Sequence, residues 1–166
     1  MDRIIHYTSN TKWERIQESG LLLPKSDPNE ISLELSDRVR SMIQDDAYLV
    51  GIQKPLDDGW VEYGLMDYLL KHTSGEVVLN VPIFDHQRGF VRDHAHASPK
   101  RFMEQYGEDL WKKLFDGEVE CNDPRIVQAA NQYFESTVSL DRYDGDYSVP
   151  EVWLPQETPI DKLTKI

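Results

Sequence analysis

The sequence predicts an α+β fold for the 166 residues: mixed central β-sheets flanked by helices, in a single domain spanning residues 1–166. Two observations favour this class. Short apolar runs with strand character are interspersed with segments that open at helix caps. The two kinds of segment do not follow a regular β-α-β order, so a purely parallel sheet is not expected. A chain of this length buries roughly two-thirds of the surface of its unfolded form, which suits one compact domain.

The N-terminal elements are a strand over residues 3–7 (RIIHY) and a short helix from Lys12 to Ser19. Thr11 and Glu14 have the spacing of a capping box at the start of this helix, and Gly20 ends it. A loop, KSDPNE, comes next. The segment LELSDRVRSMIQ then predicts a second helix, because its apolar residues recur on one helical face.

The middle of the chain contains three predicted strands and one helix. Each strand is an apolar or alternating run bounded by turn residues. The strands are AYLVGI (47–52), EVVLNVPIF (76–84) and GFVRDHAHA (89–97), and the helix covers GLMDYLLKH.

In the C-terminal half, one predicted helix begins at a Ser-Pro pair and another begins at an Asp-Pro pair. Ser98 and Pro99 form a cap and first-turn pair for a helix through KRFMEQYGEDLWKKLF, and Asp123 and Pro124 do the same for RIVQAANQYFES. A polar loop, SLDRYDGDYS, leads to the short apolar strand in VPEVWLP. The terminal segment TPIDKLTKI follows a second proline turn.

The formal net charge of −12, from 30 acidic and 18 basic residues, argues against broad nucleic-acid binding, since an acidic surface repels phosphates. The same charge also serves solubility. No apolar run approaches the ~20 residues of a membrane span, so we expect no membrane partner. The N-terminus shows no signal-peptide core, and the single Cys121 allows no internal disulfide. We therefore expect a cytoplasmic protein.

The segment FDHQRGFVRDHAHASP holds the densest cluster of chemically active side chains. If it forms a strand, His94 and His96 share one face. With Asp85 and His86 from a neighbouring turn they could bind Zn²⁺ or another transition metal, as in a metal-dependent hydrolase. The alternative, which we expect, is that both histidines bond to protein groups and no metal is bound. Arg88 and Arg92 in the same segment are the best-placed local donors for a diphosphate, and ordinary surface arginines are the alternative. Cys121 fits a structural thiol better than a nucleophile.

The two ends of the chain offer a second candidate site. Near the start, a short strand ends in HYTS, just before a helix. Near the end, Glu151 opens the apolar strand of VPEVWLP. A carboxylate at the mouth of a buried strand faces a cleft, where it can stabilise a developing positive charge. A simple rim carboxylate is the alternative.

Together these ends resemble an ADP-ribosyltransferase of the histidine–tyrosine–glutamate type, and they are similar to small toxins of that superfamily that ADP-ribosylate DNA. The resemblance lies in the HYT strand end, the helix pattern WExIxxSGLL and the EVWLP strand followed by a proline-interrupted segment. It implies an ADP-ribosyltransferase-like fold with NAD as substrate and no metal. It also makes a neutralising partner, of the kind such toxins have, compatible with this chain.

The resemblance implies roles for residues at both ends. Glu151 would be the catalytic residue, accepting the 2′-hydroxyl of the nicotinamide ribose and stabilising an oxocarbenium-like transition state, as carboxylates do in glycoside cleavage. His6 would hydrogen-bond a ribose of NAD. Tyr7 and Thr8 would line the same pocket, and Arg92 would bind the diphosphate.

The family's middle tyrosine, which stacks on nicotinamide, has three candidates here: Tyr48, Tyr63 and Tyr68. We choose Tyr48 because it begins a predicted central strand. Val149 stands where many members have an acidic residue or glutamine two positions before the glutamate. That departure weakens the case for transfer to arginine and leaves NAD hydrolysis open.

The function expected from these features is NAD-dependent transfer of ADP-ribose to a macromolecular acceptor. The acidic composition favours a protein acceptor slightly over a nucleic acid. Two alternatives remain open: a binding domain of the same fold that has lost catalysis, and the metal-dependent hydrolase that would use His94 and His96.

Overall fold

The central element is a large antiparallel sheet. The computed structural model describes residues 1–24, 48–55, 57–120 and 122–166. The strands in these ranges are β1 (Arg3–Thr8), β2 (Leu21–Leu22), β3 (Leu49–Ile52), β4 (Val77–Pro82), β5 (Phe90–Asp93), β6 (Val138–Ser139), β7 (Pro150–Leu154), β8 (Thr158–Pro159) and β9 (Thr164–Lys165). Seven of these strands pair in the order β6-β5-β7-β3-β1-β4-β9, and β2 pairs with β8 in a second, two-stranded sheet. The fold is therefore a mixed α/β arrangement dominated by one antiparallel sheet.

Helices pack on the sheet. Those in the described ranges are α1 (Asn10–Ser19), α2 (Asp58–Glu62), α3 (Leu65–Thr73), α4 (Pro99–Tyr106), α5 (Glu108–Phe115) and α6 (Pro124–Glu135). Three 3₁₀ turns lie at His94–Ala97, Leu140–Arg142 and Ile160–Lys162. None of the helices in this part of the chain is long and apolar enough to cross a membrane.

The helix caps agree with the sequence prediction in three of four cases. Asp123 caps α6 by accepting from the Arg125 amide, and Ser98 caps α4 by accepting from the Arg101 amide. Gly20 ends α1 with φ 74°, a left-handed conformation that glycine adopts without steric cost. The predicted Thr11 capping box is wrong, because the Oγ of Ser9 accepts from the Lys12 amide and α1 begins two residues earlier.

Two predicted elements differ from the structure, and one helix was not predicted. The helix predicted over residues 99–115 is broken into α4 and α5 at Gly107, whose φ of 88° no helix allows. The strand predicted over 89–97 ends at Asp93, because the Asp93 carboxylate accepts from the Ala95 amide and turns the chain into a 3₁₀ helix. The short helix α2 was not predicted, since its KPLDDG opening reads as a turn.

Some predictions lie outside the described residues. These are the KSDPNE loop, the helix over residues 33–44, the first residue of the 47–52 strand, and Cys121. The remainder of the 47–52 strand is present, with Tyr48 as a single bridge residue ahead of β3. The strand predicted over 76–84 is present as β4.

Strand register decides which side chains share a face of the large sheet. Ile5 lies opposite Ile52, and Ile52 lies opposite Glu151. Opposed residues of antiparallel strands point to the same face, and successive residues alternate. Ile5, Ile52 and Glu151 therefore share one face, whereas His6 lies on the other.

Different elements pack against the two faces of the large sheet. One, here called the α1 face, packs Ile4 and Val152 against Ile16 of α1 and Leu22 of β2. The other, here called the α6 face, packs against helices α2 to α6. Its buried residues form two clusters that include Trp60, Phe102, Ile126, Tyr133 and Trp153.

Candidate functional site

His6 lies where β1 and β3 meet. Its Nδ1 donates to the backbone carbonyl of Val50 at 2.9 Å. Burial lowers the pKa of the partly buried His6 side chain, the bond to Val50 acts in the opposite sense, and the nearby Lys12 charge lowers it further. Because a carbonyl only accepts, Nδ1 carries the proton, and the lowered pKa keeps the ring neutral at pH 7. The second ring nitrogen, Nε2, is then a hydrogen-bond acceptor.

Gly51 allows the two strands to approach closely beside His6. A Cβ at this position would lie 2.6 Å from the Ile5 carbonyl oxygen and 2.7 Å from Cδ1 of Ile4. Real Cβ atoms do not tolerate such contacts, so a larger residue would force β1 and β3 apart. The glycine therefore helps to set the position of the His6 ring.

Glu151 lies in β7 and is completely buried, with 0% of its surface exposed. Its Oε2 accepts from the Tyr133 hydroxyl at 2.5 Å and from Trp153 Nε1 at 3.1 Å. Nδ1 of His94 lies 3.2 Å from the same oxygen. A carboxylate withdrawn from water is costly unless donors compensate it, and the Tyr133 hydroxyl and the Trp153 Nε1–H do so.

Aromatic rings pack around Glu151 and His94. The Trp60 ring lies over His94 with centroids 5.2 Å apart, and Tyr133 meets His94 edge-on at 5.8 Å. Trp60 Nε1 also donates to the Pro150 carbonyl at 3.3 Å. The carboxylate is therefore sealed by side chains from α2, α6, β7 and the His94–Ala97 turn. This differs from the expectation that Glu151 faces a cleft.

Arg92 lies opposite Glu151 in the β5–β7 register and is held among aromatic rings. Its guanidinium carbon is 4.4 Å from the centroid of Phe90, and the centroids of Trp153, Phe134 and Tyr133 are at 5.1, 5.1 and 5.4 Å. Such contacts stabilise a cation by the electrostatics of the ring faces. Arg92 Nε also donates to Thr137 Oγ1 at 2.9 Å. Tyr133 and Trp153 thus contact both the Arg92 cation and the Glu151 anion.

The remaining predicted residues divide between the two faces. Tyr48 lies on the α6 face, edge-on to Phe90 at 5.1 Å and to Trp153 at 5.6 Å. Tyr7 is buried on the same face. Thr8 is buried on the α1 face, two residues along β1 from His6. Of the alternatives to Tyr48, Tyr63 packs beside Lys100, and the side chain of Tyr68 is outside the described part of the chain.

The register brings Glu151, Arg92 and Tyr48 together on the α6 face and leaves His6 on the α1 face. Only β3 separates β1 from β7, so the backbones at His6 and Glu151 are about 10 Å apart at the usual strand spacing. The sheet itself nevertheless lies between the two side chains. The sequence-based interpretation expected the two side chains to converge on one face, and they do not.

The two histidines of the HAHA segment do not share a strand face, which corrects that prediction. In a 3₁₀ turn, residues two apart point in different directions. His94 lies against Glu151, whereas His96 is half-buried. Burial lowers the pKa of His96, Arg101 lowers it further, and Asp93 raises it. No group of three or more His, Cys, Asp or Glu side chains in the described ranges is arranged to hold a metal.

Sequence reasoning missed Tyr133 and Trp153 as partners of Glu151. A signal existed for both. Trp153 is two residues from Glu151 in a strand, so the two must share a face. Tyr133 follows Ile126 and Ala129 at helical spacing, which predicts a buried ring whose hydroxyl needs a partner.

Comparisons with known proteins supply no relative. The chain matches no protein-family model, no curated protein and no solved structure. A functional interpretation therefore depends on the residues and contacts described above.

Proposed function

We propose that the protein is an NAD-dependent ADP-ribosyltransferase that modifies a macromolecular acceptor. The observation that carries the proposal is the grouping of Glu151, Arg92 and Tyr48 on the α6 face, with His6 two strands from Glu151 in the order β7-β3-β1 and on the opposite face. His6, Tyr48 and Glu151 are the three residue types of the histidine–tyrosine–glutamate pattern. The resemblance of the opening and closing segments supports the same function, and it also favours an ADP-ribosyltransferase-like fold.

In this proposal His6 binds NAD. Its Nδ1 is committed to the Val50 carbonyl, which holds the ring and leaves Nε2 as an acceptor. A ribose hydroxyl is a donor of the right kind for that atom. Thr8 lies on the same α1 face as His6, whereas Tyr7 points to the α6 face, on the side of Glu151.

Glu151 supplies the catalytic charge. As nicotinamide leaves, positive charge develops on the ribose, and a fixed carboxylate stabilises it more strongly than it stabilises bound NAD. Glu151 is sealed by Tyr133, Trp153 and His94, and the sheet separates it from His6. For one NAD molecule to contact both residues, the reaction requires that this cover move and that the strands between them rearrange. Gating of this kind is common in enzymes that must exclude water. Arg92, beside Glu151 in the register, would then meet the diphosphate.

The charge of the chain favours a protein acceptor. With a net charge of −12, the molecule attracts basic partners and repels nucleic-acid backbones. A neutralising partner, as in toxin–antitoxin pairs, would use the same attraction.

A second candidate is a binding domain that has lost catalysis. It is favoured by the complete burial of Glu151 and by the position of His6 on the opposite face of the sheet. Such a protein would bind NAD, or a related nucleotide, through His6 without cleaving it.

One experiment separates these candidates. NAD binding is measured by calorimetry and nicotinamide release by chromatography, for the wild type, Glu151→Gln and the exposed control Glu118→Gln. Release that is lost in Glu151→Gln and kept in Glu118→Gln supports transfer or NAD hydrolysis, and labelled NAD then tells these two apart. Binding without release supports the second candidate. A wild type that neither binds nor cleaves NAD would contradict both.

A further inference from the structure

A small cavity lies at the end of β7 remote from Glu151, where β4 and β7 both finish. Its volume is about 330 Å³, within the range of small-ligand sites. The residues that line it are Phe84, Asp85, Arg88, Pro155, Gln156 and Glu157. No residue of the proposed NAD site takes part in it.

The walls of this cavity are fixed by hydrogen bonds. The Gln156 side-chain amide donates to the Pro82 carbonyl at 2.7 Å and to Thr158 Oγ1 at 3.0 Å, and its oxygen accepts from the Phe84 amide at 3.1 Å. Asp85 accepts from the Gln87 amide at 2.9 Å. A ligand therefore meets the Gln156 and Asp85 side chains already positioned, which lowers the entropic cost of binding.

The lining combines an exposed aromatic ring with charged groups. The Phe84 side chain is 52% exposed, although its neighbour Ile83 is buried in the core and anchors the backbone. Asp85 and Glu157 contribute two carboxylates and Arg88 one guanidinium. Within the described residues, none of these three enters an ion pair. The cavity thus presents one net negative charge beside a half-exposed aromatic ring.

We propose that this cavity binds a lysine or arginine side chain from a basic segment of a protein partner. A ring face attracts a cation, and a carboxylate pairs with it by charge-assisted hydrogen bonds. An anionic ligand would meet two carboxylates, and an uncharged apolar ligand would cover three charges without compensation. The net charge of −12 on the whole chain steers basic segments toward this surface. This partner site goes beyond the proposed NAD chemistry and does not depend on it.

The test measures fluorescence anisotropy of a labelled peptide of alternating glycine and arginine, titrated with the full chain at low salt. Phe84→Ala should weaken binding about 3- to 5-fold, the effect of an exposed cation–π contact. The pair Asp85→Asn with Glu157→Gln should weaken it about 5- to 10-fold. Arg88→Ala should tighten binding about 2-fold, because it removes a like charge.

Matched controls separate this site from diffuse attraction. Phe115→Ala removes another exposed ring, 56% accessible on α5, and should leave the affinity within error. Asp144→Asn with Asp146→Asn removes the same charge from a distant loop and should have less effect than the cavity pair. The proposal would be overturned if the control pair lost as much peptide affinity as the cavity pair Asp85→Asn with Glu157→Gln. Weaker binding by Arg88→Ala, which is the result expected for an anionic ligand, would also overturn it.

Discussion

The two faces of the sheet differ in how deeply they bury a polar side chain and in how many groups contact it. On the α1 face, His6 is partly buried and uses one ring nitrogen to bond a backbone carbonyl. On the α6 face, Glu151 is completely buried, and two donors and a histidine meet at one of its oxygens. The difference follows from charge: a neutral imidazole tolerates partial burial, whereas a carboxylate withdrawn from water must be compensated.

This contrast bears on the proposed function. In the proposal, His6 offers NAD a ring nitrogen, Nε2, that the bond from Nδ1 to Val50 leaves as an acceptor. The contact that Glu151 offers requires its cover to open. Binding and catalysis should therefore respond differently to substitution on the two faces.

Glu151→Gln should produce the largest effect. The change keeps the shape of the side chain and removes its charge, which matters most in the transition state. We expect kcat for nicotinamide release to fall by roughly 10²–10³, or about 3–4 kcal/mol, while NAD affinity changes only a few-fold. The measurements are steady-state nicotinamide release and calorimetric titration. Near-normal turnover would refute the catalytic role of Glu151, whatever the NAD affinity.

Tyr133→Phe should destabilise the α6 face. It removes the hydroxyl that donates to Glu151 and keeps the ring beside Arg92. Loss of a hydrogen bond to a charged group costs about 1.5–3 kcal/mol of unfolding free energy, measurable by urea denaturation.

Tyr147→Phe is the matched control for that change, since the Tyr147 hydroxyl donates to the neutral Ser136 carbonyl. It should cost about 1 kcal/mol. Equal losses of unfolding free energy in the two variants would mean that the hydrogen bond from Tyr133 to the Glu151 carboxylate is no stronger than a bond to a neutral carbonyl.

His6→Ala should act mainly on NAD binding. It removes a contact that is made in both the ground and transition states, so it changes affinity more than turnover. We expect NAD to bind roughly 5- to 10-fold more weakly, about 1 kcal/mol, as calorimetry would report. A variant with unchanged affinity but reduced kcat would reverse the roles given to the two faces.

The pH dependence of stability should give the smallest effect. The pKa of His6 is lowered in the folded state, so the unfolded chain binds more protons once the pH falls below about 6.5. The stability from keeping this ring neutral is present above that pH and is lost as the pH falls through the folded-state pKa. His96 contributes in the same direction.

Urea unfolding of the wild type and His6→Asn at about pH 7.5 and 5.5 tests this sign, because the window brackets the unfolded histidine pKa. The variant should lose less stability than the wild type on acidification. An equal or larger loss in His6→Asn would contradict the titration of His6.

The sequence predicts the local elements well where a cap or an apolar run defines them. The Asp123–Pro124 pair does begin α6, and the EVVLNVPIF run does contain β4. The prediction from sequence fails where a single residue changes the direction of the chain. Gly107 breaks one helix into two through its positive φ, and Asp93 ends β5 by bonding the Ala95 amide.

The candidate site is less predictable, because it depends on strand pairing. Nothing in the HYTS or VPEVWLP segments specifies that β3 lies between β1 and β7. Once it does, the pairing of Ile5 with Ile52 and of Ile52 with Glu151 decides the face of every side chain nearby. A shift of one residue in either pairing would reverse the relation of His6 to Glu151. The ADP-ribosyltransferase interpretation itself stays a prediction.

The margins of the sheet have a consequence for the protein at high concentration. The described sheet ends in β6 on one side and β9 on the other, and each contains only two residues. A margin this short exposes few backbone groups to a neighbouring molecule, and Lys165 adds a charge that a second strand would have to bury. The strands β1 and β7 lie inside the sheet, each paired with a neighbour on both sides. We therefore expect the two-residue margins of the described sheet to offer little template for edge-to-edge association in crowded solution.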